Sequence, residues 1–162
     1  MRKILRAGLV ALLALGCAPV LAAIDTTTFT VTATVAAACT ISATNLAFGT
    51  YSTAAALPTD ASSTVTTTCT LTAPYNIGLN AGTGAGATVA ARKMTSGANL
   101  LTYSLFQDAA HLTVWGNTIG TDTVLLVGTG VAAVTTVHGR IPALQNVPVG
   151  GYADTITATV TF

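Results

Sequence analysis

Over residues 152–162 the chain alternates with a two-residue period. Tyr152, Ile156, Ala158, Val160 and Phe162 fall on one side, with Ala153, Thr155, Thr157, Thr159 and Thr161 on the other. Successive side chains of an extended strand point to opposite faces, so this period specifies a β-strand with one apolar face. The pattern recurs at Val65, Thr67, Cys69 and Leu71, which alternate with threonines, then at Tyr75, Ile77 and Leu79, and again at Leu101, Tyr103 and Leu105. Thr123 to Val127 and Val131 to Val137 read as further short strands, and Pro74, Gly82 to Gly86 and Gly128 to Gly130 punctuate the runs. Threonine and alanine dominate, glutamate is absent, and no stretch carries a convincing helical period. β-Branched threonine suits a half-exposed pleated surface. Short strands with Gly and Pro between them imply an all-β, antiparallel sandwich rather than a fold of alternating strands and helices.

The first residues are a different object. Arg2, Lys3 and Arg6 precede an apolar run from Ile4 to Leu15, and Val20-Leu21-Ala22 ends in small residues that suit signal peptidase,. Residues 1–23 therefore read as a signal peptide, and the chain as exported. Leu15-Gly16-Cys17 offers a rival lipoprotein reading, but Ala14 and Leu15 fit that cleavage box poorly. No other segment approaches the ~20 apolar residues of a membrane span. Past the leader, Arg92, Lys93 and Arg140 face Asp25, Asp60, Asp108, Asp122 and Asp154, a net charge of −2. Charged residues make up 7% of the chain and hydrophobic ones 51%. That balance excludes a nucleic-acid-binding surface and a disordered tail, and the remaining length suits one domain.

Cys39 and Cys69 remain once the leader is set aside. In an oxidising compartment such a pair is most simply a disulfide. Metal ligation is the alternative, for which the chain offers no C-x-x-C and only two histidines, His111 and His138, set apart from the cysteines and from each other. Neither metal nor cofactor is expected. The Gly82-Thr83-Gly84-Ala85-Gly86 stretch lacks the spacing, the helix and the Lys-Ser/Thr of a phosphate loop, and Ser96 has no nucleophile elbow around it. The five aspartates are expected at strand ends or turns, accepting bonds from local N–H groups. No enzyme is implied. Trp115 and Tyr103 admit two readings, core packing or a surface on which a sugar stacks.

Several segments in order resemble the spore coat protein U domain family, which includes major subunits of archaic chaperone/usher pili. They are Cys39-Thr40-Ile41-Ser42-Ala43-Thr44 leading to Leu46-Ala47-Phe48-Gly49-Thr50-Tyr51, then Thr68-Cys69-Thr70, Tyr75-Asn76-Ile77-Gly78-Leu79 and Arg92-Lys93-Met94. Leu101 to Asp108, Trp115-Gly116, Gly139-Arg140-Ile141-Pro142-Ala143 and Tyr152 to Thr157 continue the match. The chain departs from the family at Ser52-Thr53, where an acidic residue and proline are usual, at His138 for an aromatic, and at Leu144 for a glycine. The resemblance implies an immunoglobulin-like sandwich that is incomplete, its last strand supplied by the N-terminal segment of a neighbouring subunit. It further implies a periplasmic chaperone, an outer-membrane usher and related pilins as partners, and a pilus on the cell surface as the destination.

Residues 24–37 read as that donor segment, and 38–162 as the pilin domain. Phe29, Val31, Ala33 and Val35 alternate with threonines. Ala36-Ala37-Ala38 lacks the Gly, Asn or Asp that a hairpin return needs, so the segment is expected to leave its own body and enter another. The run that carries Tyr152, Ile156, Ala158, Val160 and Phe162 is expected to border the groove and to be followed by no further strand. Two other classes stay open: a secreted spore-coat or surface-layer structural protein, and a carbohydrate-binding module using Trp115 and Tyr103.

Overall fold

A computed structural model describes residues 21–162. The leader and Cys17 therefore lie outside the described residues, save for Leu21 to Ala23. The chain divides into residues 1–34 and a compact unit over residues 35–162. Within the described part of the first unit, residues 21–34 carry no strand, and all of them are exposed.

The second unit holds eight strands and, among the described residues, no helix. They are β1 (Cys39–Ala43), β2 (Thr59–Cys69), β3 (Pro74–Leu79), β4 (Arg92–Ser96), β5 (Asn99–Phe106), β6 (Val124–Val127), β7 (Ala133–Ile141) and β8 (Ala158–Thr161). One sheet has the order β1-β2-β7-β5-β4 and the other β6-β3-β8, with every pairing antiparallel. This is the immunoglobulin-like sandwich, two sheets packed face to face over alternating inward side chains.

The two-residue period places the core. Val65, Thr67 and Cys69 of β2, Tyr75, Ile77 and Leu79 of β3, and Leu101, Tyr103 and Leu105 of β5 are all buried. Val137 and Ile141 of β7 and the fully enclosed Trp115 complete it. Thr67 is the polar member, and its hydroxyl pairs with that of Tyr75 at 2.9 Å, which removes the cost of burying both,. Cys39 and Cys69 are directly opposed in β1 and β2 and joined as a disulfide.

The structure corrects several boundaries. Leu71 lies beyond β2 and is 65% exposed. Pro74 opens β3 instead of merely ending the run before it, a position where its missing N–H costs no ladder bond,. β7 runs on through Gly139 and Arg140 to Ile141. β4 has no counterpart in the sequence reading, because its polar residues hide the period. The final run is not one unbroken strand: Ala153 bridges Thr95 beside β4, while only Ala158 to Thr161 form β8, beside β3.

Candidate functional site

A groove of about 1240 Å³ opens into the sandwich of the second unit. One wall is the end of β1 at Ala43 with the irregular segment 44–53 after it, and the other is the segment 147–156 that leads into β8, with Ala158 at its start. Val65, Leu79, Leu101, Tyr103, Leu105 and Val137 lie along its floor. These are the residues that form the core, so the groove is an unfilled part of the interior rather than a surface dent.

Both flanking strands are sheet edges. β1 pairs only with β2, and β8 only with β3, among the described residues. The hydrogen bonds of the C-terminal segment alternate in the way an antiparallel ladder requires. Ala153 exchanges both backbone bonds with Thr95, at 2.8 and 3.1 Å, and the Thr157 carbonyl accepts from Asn80 N–H at 3.1 Å. Ala153, Thr157, Thr159 and Thr161 thus turn their backbone groups toward β4 and β3. The N–H and C=O groups of Ile156, Ala158 and Val160 point the other way, along a free edge. Such an edge is a template for another strand.

The walls are tied down by polar side chains. Tyr51 donates to the Pro142 carbonyl at 2.9 Å and accepts from Gln145 N–H at 2.8 Å. The Gln145 amide then bonds both backbone groups of Thr102, accepting from its N–H and donating to its carbonyl, each at 2.8 Å. On the opposite wall, Asp154 Oδ1 accepts from Thr83 N–H at 2.8 Å, Thr83 Oγ1 at 2.9 Å and Thr155 N–H at 2.7 Å. Its Oδ2 accepts from the Tyr103 hydroxyl at 2.7 Å. Burial by itself raises the Asp154 pKa, but these bonds outweigh it and hold the carboxyl below its ordinary value,. Burial, and then the bond to Asp154, pushes the Tyr103 hydroxyl far above its usual range. The glycine loop supports the contact: Gly82 has φ +84°, and a Cβ there would collide with the Asp154 carboxylate,.

Arg92 is fully buried and meets no acid directly. Its guanidinium donates instead to four carbonyls, Asn80 at 2.9 Å, Val89 at 2.7 Å, Leu79 at 3.0 Å and Trp115 at 2.6 Å. Burial lowers its pKa, and the four acceptors satisfy it where it stands,.

Of the residues singled out in the sequence, Tyr152, Ile156, Ala158 and Val160 are half-buried and packed against the core, and Phe162 is 56% exposed. Phe29, Val31 and Val35 are 84%, 81% and 84% exposed, and Ala33 is exposed as well. The sugar-stacking reading fails. Trp115 is wholly enclosed, donating from its indole to the Ile77 carbonyl at 2.9 Å, and Tyr103 is 4% exposed. The two histidines, distant in sequence, meet edge to face with ring centroids 6.2 Å apart. Asp108 and Asp122 do accept from local N–H groups, but Asp60 lies within β2 and forms a bidentate pair with Arg140, both bonds 2.7 Å. Asp154 likewise bonds far from its own turn. It occupies the inward row between Tyr152 and Ile156, where the period should have found it. Tyr51, Arg92 and Gln145 showed nothing in the hydrophobic period; Tyr51 and Arg92 stood out only as parts of segments that resemble the family.

The chain is similar to known proteins in sequence and in fold. Protein U of Myxococcus xanthus is 42% identical over 87 residues, covering 52% of this chain and 48% of that protein. A crystal structure of the CsuC–CsuE chaperone–tip adhesion subunit pre-assembly complex, from the archaic chaperone-usher Csu pili of Acinetobacter baumannii, superposes with a TM-score of 0.56. The identity there is 26%, over 80% of this chain and 40% of the other. The chain thus spans less than half the length of each of these relatives. The profile of the Spore Coat Protein U domain covers residues 25–159, and with that match the chain belongs to the Spore Coat Protein U domain family.

Proposed function

We propose that this protein is a structural subunit of a surface pilus, assembled by the chaperone-usher route through donor-strand complementation. The observation that carries the reading is the groove: an unfilled core bordered by the free edge of β8, in a chain whose residues 26–35 have the strand pattern and the exposure of a donor. Ten extended residues reach about 30 Å. Burying Phe29, Val31 and Val35 contributes about 1.5–3 kcal/mol each, in addition to the backbone ladder.

In this reading residues 1–23 direct export and are removed, residues 24–37 form the donor segment, and residues 38–162 the acceptor body. A periplasmic chaperone occupies the groove first, pairing beside Tyr152, Ile156, Ala158, Val160 and Phe162. At an outer-membrane usher the segment bearing Phe29, Val31, Ala33 and Val35 of the next subunit replaces it. One donor and one acceptor per subunit give a head-to-tail contact that does not close, hence a filament. The likeness to the Csu pre-assembly complex supports these partners. The role is structural and non-enzymatic, with no cofactor, and the location is the cell surface.

Removal of residues 24–35 tests the proposal. The shortened subunit should bind chaperone and form no polymer; persistent filaments overturn it. A second reading, a secreted coat component, is favoured by the identity with Protein U. Loss of surface fibres when this gene alone is removed, seen by electron microscopy, separates the first from the second.

A further inference from the structure

The groove wall carries a row of inward positions, Tyr152, Asp154, Ile156, Ala158 and Val160, and all but Val160 line the cavity. Two of them are unusual for such a row. Ala158 is small, and Asp154 is a carboxylate already holding Tyr103 and Thr83. The donor row, Phe29, Val31, Ala33 and Val35, contains one large member and one small. On the reading proposed above, two strands must be matched whose side chains face one another across about 5 Å.

We propose that Asp154 sets the register of donation, by requiring the small Ala33 opposite it. With the donor antiparallel to the C-terminal segment, this places Val31 at Ile156, Phe29 at Ala158 and Val35 at Tyr152. Phenylalanine then meets the one small wall residue, and alanine leaves the ionised carboxylate room for water. Moving the donor two residues either way puts Val31 or Val35 on the carboxylate, which strips solvent from a charge. It also sets Phe29 against Ile156 or Val160, where two bulky side chains compete for one space. A parallel donor with Ala33 at Asp154 places Phe29 at Gly150, away from Ala158. Of these alignments, only the antiparallel one with Ala33 at Asp154 satisfies both the charge and the volume. In it the outward pairs are Thr28 with Thr159, Thr30 with Thr157 and Thr32 with Thr155, and the three wall threonines are all exposed.

These exposed pairs test the register without disturbing the groove. Full-length subunits carrying Thr32→Cys together with Thr155→Cys should assemble and, on oxidation, give a ladder of covalent oligomers on non-reducing gels. Thr30→Cys with Thr155→Cys, and Thr34→Cys with Thr155→Cys, should give none. A ladder from the Thr30 pair means a slipped register, and one from the Thr34 pair a slipped register or a parallel donor; either overturns the proposal while leaving strand donation intact. Filaments with no ladder from any pair overturn it too, and absence of filaments from the unsubstituted chain under the same conditions overturns the underlying reading. As a second measure, Ala33→Leu should slow polymerisation about fivefold or more, the rate equivalent of the overpacking it causes, with chaperone binding unchanged. An unchanged rate contradicts the assignment.

Discussion

The side chain of Gln145 pairs with the backbone of Thr102 as a neighbouring strand would, taking its N–H and giving to its carbonyl at 2.8 Å each. β7 pairs with β5 only over Ser104 to Phe106, so Thr102 has no strand on that side. Replacing Gln145 by alanine leaves both groups without a partner. The expected loss is about 1–3 kcal/mol, seen as a lower urea midpoint with the slope unchanged.

Arg92 is the most sensitive single position. Lysine carries one compact ammonium and cannot reach four carbonyls that a planar guanidinium spans. Arg92→Lys should destabilise by about 3 kcal/mol or more, and Arg92→Met by at least as much, since it leaves the acceptors bare. Rapid cleavage of the variants in limited proteolysis, against a resistant parent, is the readout.

Leu144 occupies the left-handed region with φ 61°, at a turn where its side chain is 65% exposed and packs little. A side chain there costs about 1–2 kcal/mol, part of which glycine returns as unfolded-state entropy. Leu144→Gly is therefore expected to stabilise the body by about 0.5–1 kcal/mol, checked by denaturant unfolding.

Acid should unfold this protein through its aspartates. The Arg140 guanidinium lowers the Asp60 pKa, the N–H groups of Thr113 and Leu112 lower that of Asp108, and the bonds from Thr83, Tyr103 and Thr155 lower that of Asp154 against its burial. Each folded value lies below the unfolded one of about 3.9, so in acid the unfolded chain binds more protons. The stability these groups supply is present above about pH 4 and is lost as pH falls through the folded values. Asp154→Asn should flatten the acid limb of stability against pH. An unaltered limb contradicts that assignment.

The Cys39–Cys69 disulfide closes a loop with a sequence separation of 30. Its reduction, or replacement of both cysteines by serine, should cost about 3–4 kcal/mol in the chain-entropy account. Calorimetry with and without reductant measures it.

The sandwich was legible where one face of a strand is apolar. Val65 to Cys69, Tyr75 to Leu79 and Leu101 to Leu105 show their period openly, and the disulfide followed from two cysteines in a chain whose first residues read as an export signal. Arg92-Lys93-Met94-Thr95-Ser96 did not read as a strand, because a buried arginine satisfied by carbonyls looks in sequence like surface charge. The His111 and His138 contact, the Tyr51 and Gln145 tether and the Asp154 bond network join residues far apart along the chain, which no local period can encode. Asp154 was hidden differently: a carboxylate in an apolar row reads as an interruption until its partners are seen.

The C-terminal segment belongs to both layers, bonded to β4 at Ala153 and to β3 from Thr157 onward. Separating the two layers therefore means breaking either the Ala153–Thr95 pair or the ladder to β3. One crossing segment thus staples the layers to each other, beyond the packing of their inner faces.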